Sequence, residues 1–514
     1  MLNSLPLYDE LRLTSQDLAP IRHYIKHTWK TLTRSPRHIV KAARDPKLEY
    51  QGDQPLPVYL SAREDYVQVE NKLRQLLSPE ELAQIELQVL PPEMNQIEHH
   101  GLLYLPGEYV VPGGRFNELY GWDSYFIQLG LLQDGEIALA QSMIDQLLYE
   151  IEHYGTVLNG NRTYMLNRSQ PPFLTRMILD LYHRTHDLNW LRSVLPTVQS
   201  YYFYWTVPPH LNQATGLSHY NAFGVGPAPE VISSEIDENG KNHYERILEY
   251  YRTHEIEDYD VSLYYDQETD SLTDLFYQGD RSMRESGFDP TNRFGPFSVD
   301  IIHYAPVCLN SLLYQMELDL AEMQRILGYG HAASYWLNHA ENRRHLMNQY
   351  LWDDEVGLYF DYNFRTGCCR RYEFVTTFFP LWVGLASPEQ AQRVALNLST
   401  FETPGGLVTS THFSGNQWDE PFGWAPLHLI AVDGLRRYGY IEEAHRIACK
   451  FVNLVLQEFN KTGTIVEKYD VKKCSADVSD EIFFGYSSNE IGFGWTNGVV
   501  LELLAMLERD GVIV

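Results

Sequence analysis

Carboxylates, arginines and tryptophans cluster in a few short stretches of this chain, a mixture suited to proton transfer on a hydroxyl-rich ligand. Arg284-Glu285-Ser286-Gly287-Phe288-Asp289 sets a carboxylate behind a glycine and an aromatic ring. Apolar surroundings raise a carboxyl pKa and keep the group protonated, as a general acid requires; an aspartate in a loop also serves as an ordinary cap or turn residue. Glu467-Lys468-Tyr469-Asp470 sets a second carboxylate beside a lysine, which by itself suits a surface ion pair. A long polar stretch with the character of a lid follows, and that favours a site.

Two tryptophans and two carboxylates share Gln417-Trp418-Asp419-Glu420-Pro421-Phe422-Gly423-Trp424, a density that core packing does not explain. In Pro112-Gly113-Gly114-Arg115-Phe116 two glycines permit backbone bends ahead of an arginine. Trp122-Asp123-Ser124-Tyr125 follows at the expected start of a helix. Asp123 there suits either an N-cap or a grip on a sugar hydroxyl. Asn159-Gly160-Asn161-Arg162 and Arg168-Ser169-Gln170-Pro171-Pro172 offer planar hydrogen-bonding groups that match hydroxyl pairs, and also suit a plain polar loop. A final stretch, Gly492-Phe493-Gly494-Trp495-Thr496-Asn497-Gly498, completes the set.

The elements that must position these residues read as helices. Ala444, Ile447, Ala448, Phe451, Val452, Val455 and Leu456 form one apolar stripe over 441–459. Similar patterns lie near 125–153, 172–183, 309–327, 331–350, 388–398 and 494–507. Strand-like alternation is sparse, 357–362 being the best candidate. The chain therefore reads as mostly α, in helical hairpins joined by conspicuous loops. Residues 1–100 read as an N-terminal helical extension packed on a catalytic unit of 101–514, with the prolines of 53–57 turning the chain before a helix over 61–77.

Composition narrows the function. The chain has 514 residues, 44% hydrophobic and 21% charged, enough for a sizeable core. Its formal net charge of −28 repels phosphate backbones and anionic lipids, so neither nucleic acid nor membrane is an expected partner. No stretch is apolar enough to span a bilayer. The N-terminal residues lack a basic region ahead of an apolar run, so no secretory signal is expected. Cys308, Cys368, Cys369, Cys449 and Cys474 form no CxxC pair, which fits a reducing, cytoplasmic setting with neither disulfide framework nor zinc.

Taken in order, these stretches resemble the trehalase family of inverting glycoside hydrolases over roughly residues 105–510. The segment from Pro112 through Glu118, Tyr120, Trp122, Asp123 and Tyr125 is similar to the family's first signature, and 417–426 to its second. The resemblance implies an (α/α)6 toroid, a ring of six helical hairpins with its site at one mouth. It implies Asp289 as general acid and Glu467 as general base, separated by roughly 6.5–9.5 Å to admit a water, with no metal or organic cofactor. It implies Arg115, Phe116, Trp122, Asp123, Asn159, Arg168, Gln170, Trp418 and Asp419 around the transferred glucose. Glu230 and Trp495 complete the expected substrate-binding set.

Departures fall on the acceptor side. The family pattern resembles Arg-Pro-Arg-Pro-Glu-Ser where this chain has Gly226-Pro227-Ala228-Pro229-Glu230-Val231, so Ala228 replaces an arginine. Phe484 to Glu490 replaces a glycine run followed by Glu-Tyr, and Cys308 stands where an aspartate is common. These changes favour a smaller aglycone. The expected substrate is a small α-glucoside compatible solute, with glucosylglycerol ahead of trehalose, and glucosylglycerate behind both because its carboxylate seeks the missing cation. Retention of Asp289 and Glu467 disfavours a non-catalytic sugar-binding protein, and Glu467 disfavours a phosphorylase.

Overall fold

A computed structural model describes residues 16–48, 54–234, 236, 240–478, 482, 484 and 488–513. The main helices, in chain order, are α1 (Ala19–Leu32), α2 (Gly121–Gln133), α3 (Ile137–Tyr154), α4 (Leu174–Thr185), α5 (Leu188–Thr206), α6 (Asp274–Glu285), α7 (Val307–Ile326), α8 (Gly330–Tyr350), α9 (Phe379–Trp382), α10 (Pro388–Leu396), α11 (Ala425–Arg437), α12 (Ile441–Thr462) and α13 (Gly494–Arg509). Among the described residues, α2, α4, α7, α9, α11 and α13 form an inner ring. Each packs on the next, and α13 returns to α2. Helices α3, α5, α8 and α12 back α2, α4, α7 and α11 from outside, and α1 packs on α13. This is a mostly helical (α/α)6 barrel.

The two rings differ in sequence for a physical reason. Inner helices are covered on every side, so α2 buries nearly all its residues, including Asp123, Ser124 and Gln128, and shows no apolar stripe. Outer α12 has one wet face and keeps the 3.6-residue periodicity. Inner α11, buried along most of its length, carries a weaker periodic signal than α12. The pattern over 125–153 is not one helix but the α2–α3 hairpin, turned at Gly135 with φ +78°. Ring closure needs α2 and α13 in near contact. A Cβ on Gly498 would fall 1.9 Å from the Phe126 carbonyl oxygen, so only glycine fits.

The N-terminal region is not purely helical. Leu56–Leu60 is a strand paired in parallel with Ile85–Val89 and Leu102–Leu103. It is buried throughout, as parallel strands covered on both faces are, so it shows no alternation, and Pro55 and Pro57 make it read as a turn. The helix that follows spans Tyr66–Leu76. α1 closes the ring through Trp29, which reaches Gly130 and donates to Asp134 at 2.7 Å, and through an Arg22–Glu508 ion pair at 2.8 Å. In the 357–362 region, Leu358–Tyr359 and Asp361–Asn363 belong to two different small sheets.

Inner α2, α4, α7 and α11 are each followed by the outer helix that backs them, so their N-termini share one end. The loops entering α2, α4, α11 and α13 carry the residues singled out above, and the loop between α6 and α7 carries Asp289.

Candidate active site

That end of the ring holds a cavity of about 580 Å³. Asp289, Glu467, Arg115, Phe116, Trp122, Asp123, Asn159, Arg168, Gln170, Glu230, Trp418 and Trp495 all line it. Segments far apart in sequence thus share one wall, Asp45 at one extreme and Trp495 at the other. Among the described residues, no group of three or more His, Cys, Asp or Glu side chains is arranged to hold a metal ion.

Tryptophans give the cavity its rigid floor. Trp418 stacks on Trp424 with centroids 3.8 Å apart, and Trp122 meets the rings of both Trp418 and Trp495 at 5.7 Å. Flat, fixed rings of this kind present a platform to the C–H face of a sugar. Antiparallel pairing sets Trp424 opposite Lys468, which delivers the neighbouring Glu467 to the edge of this cluster. The Glu467 carbonyl accepts from Trp495 Nε1 at 3.1 Å, locking the backbone behind the carboxylate.

Three of the carboxylates that line the site stand in unlike surroundings. Glu467 is buried, with Lys468 Nζ 3.5 Å from its Oε2. Asp289 is more open, its side chain 35% exposed, with Arg284 Nη1 3.8 Å from Oδ2. Gln417 donates to the Asp289 carbonyl oxygen, tying the two loops together. Asp123 is buried, and that burial, reinforced by the charges of Glu467 and Asp289, pushes its pKa well above the usual carboxylate range. Burial also pulls the Lys468 ammonium below the ordinary lysine range, against the charge of Glu467.

The amide-bearing loops are fixed by their own hydrogen bonds. Gln170 Oε1 accepts from the Trp122 N–H at 2.9 Å, and Asn159 Nδ2 donates to the carbonyls of Ser169 and Arg284. Arg168 forms a buried ion pair with Glu230. Beneath them Glu285 accepts from the Ser169 N–H at 2.9 Å and the Asn221 N–H at 3.0 Å, fastening two wall loops to the end of α6.

Two expectations need correction. Asp419 does not line the cavity. It is fully buried behind Trp418 and accepts from Thr291, Asn292, Tyr372, Ser410 and Ser414, so its lone pairs are occupied in holding the loops. Ala228 is likewise buried in the core, its N–H donating to Tyr244, and is not part of the wall. Of the replaced lid segment, Gly485, Tyr486 and Ser487 lie outside the described residues.

The wall includes residues that sequence reasoning left out: Asp45, Lys47, Glu118, Tyr120, Arg284 and Gln417. Glu118, Arg284 and Gln417 stand within the stretches already noted, and their position beside selected residues was the available signal. Asp45 and Lys47 carried none, because they come from the N-terminal region. Buried Arg162 brings them in: it donates to Glu118 at 2.6 Å and to the Ala42 carbonyl at 2.7 Å, and Tyr164 donates to Asp45 at 2.6 Å.

A closed helical ring with a carboxylate-lined cavity at one mouth defines the (α/α)6 glycoside hydrolases. GH63 mannosylglycerate hydrolase from Thermus thermophilus shares this fold, with a TM-score of 0.52 at 18% identity over 77% of this chain and 95% of that one. The profile of the family described as trehalase matches residues 7–508, and the chain belongs to that family. The cytosolic neutral trehalase of Kluyveromyces lactis is 36% identical over 562 residues, covering 96% of this chain and 72% of that protein. That of Neurospora crassa is 35% identical, covering 96% and 73%. The solved neutral trehalase of Saccharomyces cerevisiae superposes with a TM-score of 0.79 at 31% identity, over 96% of each chain.

Proposed function

We propose that this enzyme hydrolyses α,α-trehalose to two glucose molecules with inversion, using Asp289 as general acid and Glu467 as general base. The observation that carries the reading is that both carboxylates line one cavity, in a chain related over nearly its whole length to neutral trehalases. Those relatives are described as cytosolic, which supports the same compartment here. Trehalose takes precedence over glucosylglycerol for two reasons. The relatives are trehalases, and Ala228, the substitution that suggested a smaller aglycone, faces the core.

In this reading the protonated carboxyl of Asp289 gives its proton to the glycosidic oxygen as the bond from that oxygen to the anomeric carbon breaks. Glu467 takes a proton from a water whose oxygen bonds to that carbon from the opposite face. The products are one β-glucose, one glucose released with its configuration unchanged, and an enzyme that exchanges protons with solvent to reset. Trp122, Trp418 and Trp495 hold the ring, and Asp123, neutral in its buried place, has a proton to donate to a sugar oxygen.

The test is early-time proton NMR of trehalose turnover. β-Glucose and α-glucose should appear in equal amounts before mutarotation; initial α-glucose alone sinks the inverting assignment. Asp289→Asn and Glu467→Gln should each lose about 1,000-fold in kcat while binding glucose. Wild-type-like turnover in either removes that residue from its role. Turnover of glucosylglycerol with a higher kcat/KM than trehalose would reverse the order of substrates.

A further inference from the structure

We infer that Glu490 is a positioning residue that couples sugar capture by Arg115 to the seating of Glu467, an assignment that rests on the hydrolytic reading above. Glu490 does not line the cavity, yet it touches two residues that do. Its Oε1 accepts the Arg115 N–H at 2.9 Å and its Oε2 lies 3.3 Å from Arg115 Nε. Its backbone carbonyl accepts the Glu467 N–H at 3.1 Å. Through one residue, the cation at the cavity rim and the backbone of the base move together.

The approach is built into the sequence on both sides. A Cβ on Gly113 would fall 2.4 Å from Glu490 Cγ, so the glycine leaves the room in which the side chain reaches Arg115. Beside it, Asn489 Oδ1 accepts the Lys468 N–H at 3.2 Å, and Asn489 Nδ2 donates to the carbonyls of Lys468 and Ala476 at 2.8 Å each. The Gly492 N–H then donates to the Ile465 carbonyl at 2.6 Å. Residues 489–492 thus run alongside 465–468 and hold the base from the side opposite Trp495.

Arg115 itself is set by stacking over the Phe116 ring, 4.4 Å from guanidinium to centroid. Its side chain is 37% exposed. An ion pair that wet contributes little to stability. What it supplies is direction: the guanidinium is aimed, and Glu490 cannot shift without tilting the segment that carries Glu467. Small misplacements of reacting groups cost rate far more than they cost folding.

The test uses Glu490→Ala and Glu490→Gln in the full chain. Thermal unfolding, kcat and KM for trehalose, and amide hydrogen exchange over 465–470 with and without glucose would be measured. Glu490→Ala should lower kcat about tenfold and raise KM with an unfolding temperature close to wild type. Glu490→Gln keeps a neutral acceptor for the Arg115 N–H, so it should recover most of kcat while KM stays raised. Glucose should slow exchange over 465–470 in the wild type and not in Glu490→Ala. If both variants keep wild-type kcat, or if glucose protects 465–470 equally in wild type and Glu490→Ala, the coupling is absent. A wild-type chain that leaves trehalose uncut would overturn the proposed function instead, and the glucose-dependent exchange would still decide the coupling. Should Glu490→Ala fail to fold, Glu490→Gln with the exchange measurement decides alone: equal protection and unchanged KM sink the inference.

Discussion

The Lys468 ammonium stands 3.5 Å from the Glu467 carboxylate and 3.3 Å from Gln417 Oε1, with the lysine side chain closed off from solvent and its Nζ 5.4 Å from the centre of the Trp424 ring. A cation so enclosed acts on its neighbour with little screening. Lys468→Met keeps the stem packed and removes the charge. The variant should lose about tenfold in kcat while keeping an unfolding temperature close to wild type. An unchanged kcat would mean that the lysine serves packing alone.

Asp123 supplies a pH dependence. Its folded pKa lies well above its unfolded one, through burial first and then the charges of Glu467 and Asp289. The stability it contributes is therefore whole below the unfolded value and is lost as pH rises through the folded value. Asp123→Asn removes that loss. Between about pH 5 and about pH 8, the unfolding temperature of the variant should decline less than that of the wild type. Parallel declines would contradict the assignment.

Glu118 titrates the other way. Burial raises its pKa, but the charges of Arg162 and Lys47, with hydrogen bonds from the Asn117 N–H and Arg162, outweigh burial and hold it at about 2. Its contribution is present above the unfolded value and is lost as pH falls through the folded one. Glu118→Gln removes one of two buried carboxylates beside Arg162, leaving Asp45 at 3.6 Å, and should cost about 3 kcal/mol at neutral pH, with a shallower loss of stability on acidification. Urea unfolding at neutral and acid pH measures both.

Lys47 reaches the cavity from the N-terminal region, 3.5 Å from the Tyr120 hydroxyl and 5.8 Å from the centre of the Phe116 ring. Lys47→Ala should raise KM for trehalose about tenfold, the equivalent of one charged hydrogen bond, and leave kcat nearly unchanged. An unchanged KM would restrict the lysine to bracing Tyr120.

Gly498→Ala tests the ring itself. The added carbon meets the Phe126 carbonyl oxygen at 1.9 Å, and neither helix can yield without opening the seam between α2 and α13. Urea unfolding should show a loss of about 3 kcal/mol or more, and a loss near zero would contradict the packing described.

Legibility in the sequence differed from helix to helix. Outer α12, with one wet face, announced itself by period, whereas α5, with its internal Pro196, and α11, buried along most of its length, did not. Tryptophans and carboxylates crowded into short loops marked the cavity, because nothing in a core requires them together. The same crowding misled at Asp419, whose hydrogen-bonding duties are invisible without the loops that converge on it. The family comparison at Ala228 gave the residue a place in the ring of contacts that its side chain does not occupy. Lys47 and Asp45 could not be found at all, since the Arg162 hydrogen bonds that draw them in join segments more than a hundred positions apart.

The barrel's seam lies where the beginning and end of the fold meet. The Tyr24 hydroxyl accepts the Ile465 N–H across 441 positions, and α1 rests on α13. During synthesis Asp289 emerges with much of the barrel still unmade, whereas Glu467, Trp495 and the partner surface for α1 follow well after it. A nascent chain therefore holds one carboxylate of the cavity long before the other, and the cavity is walled on all sides only once α13 has docked.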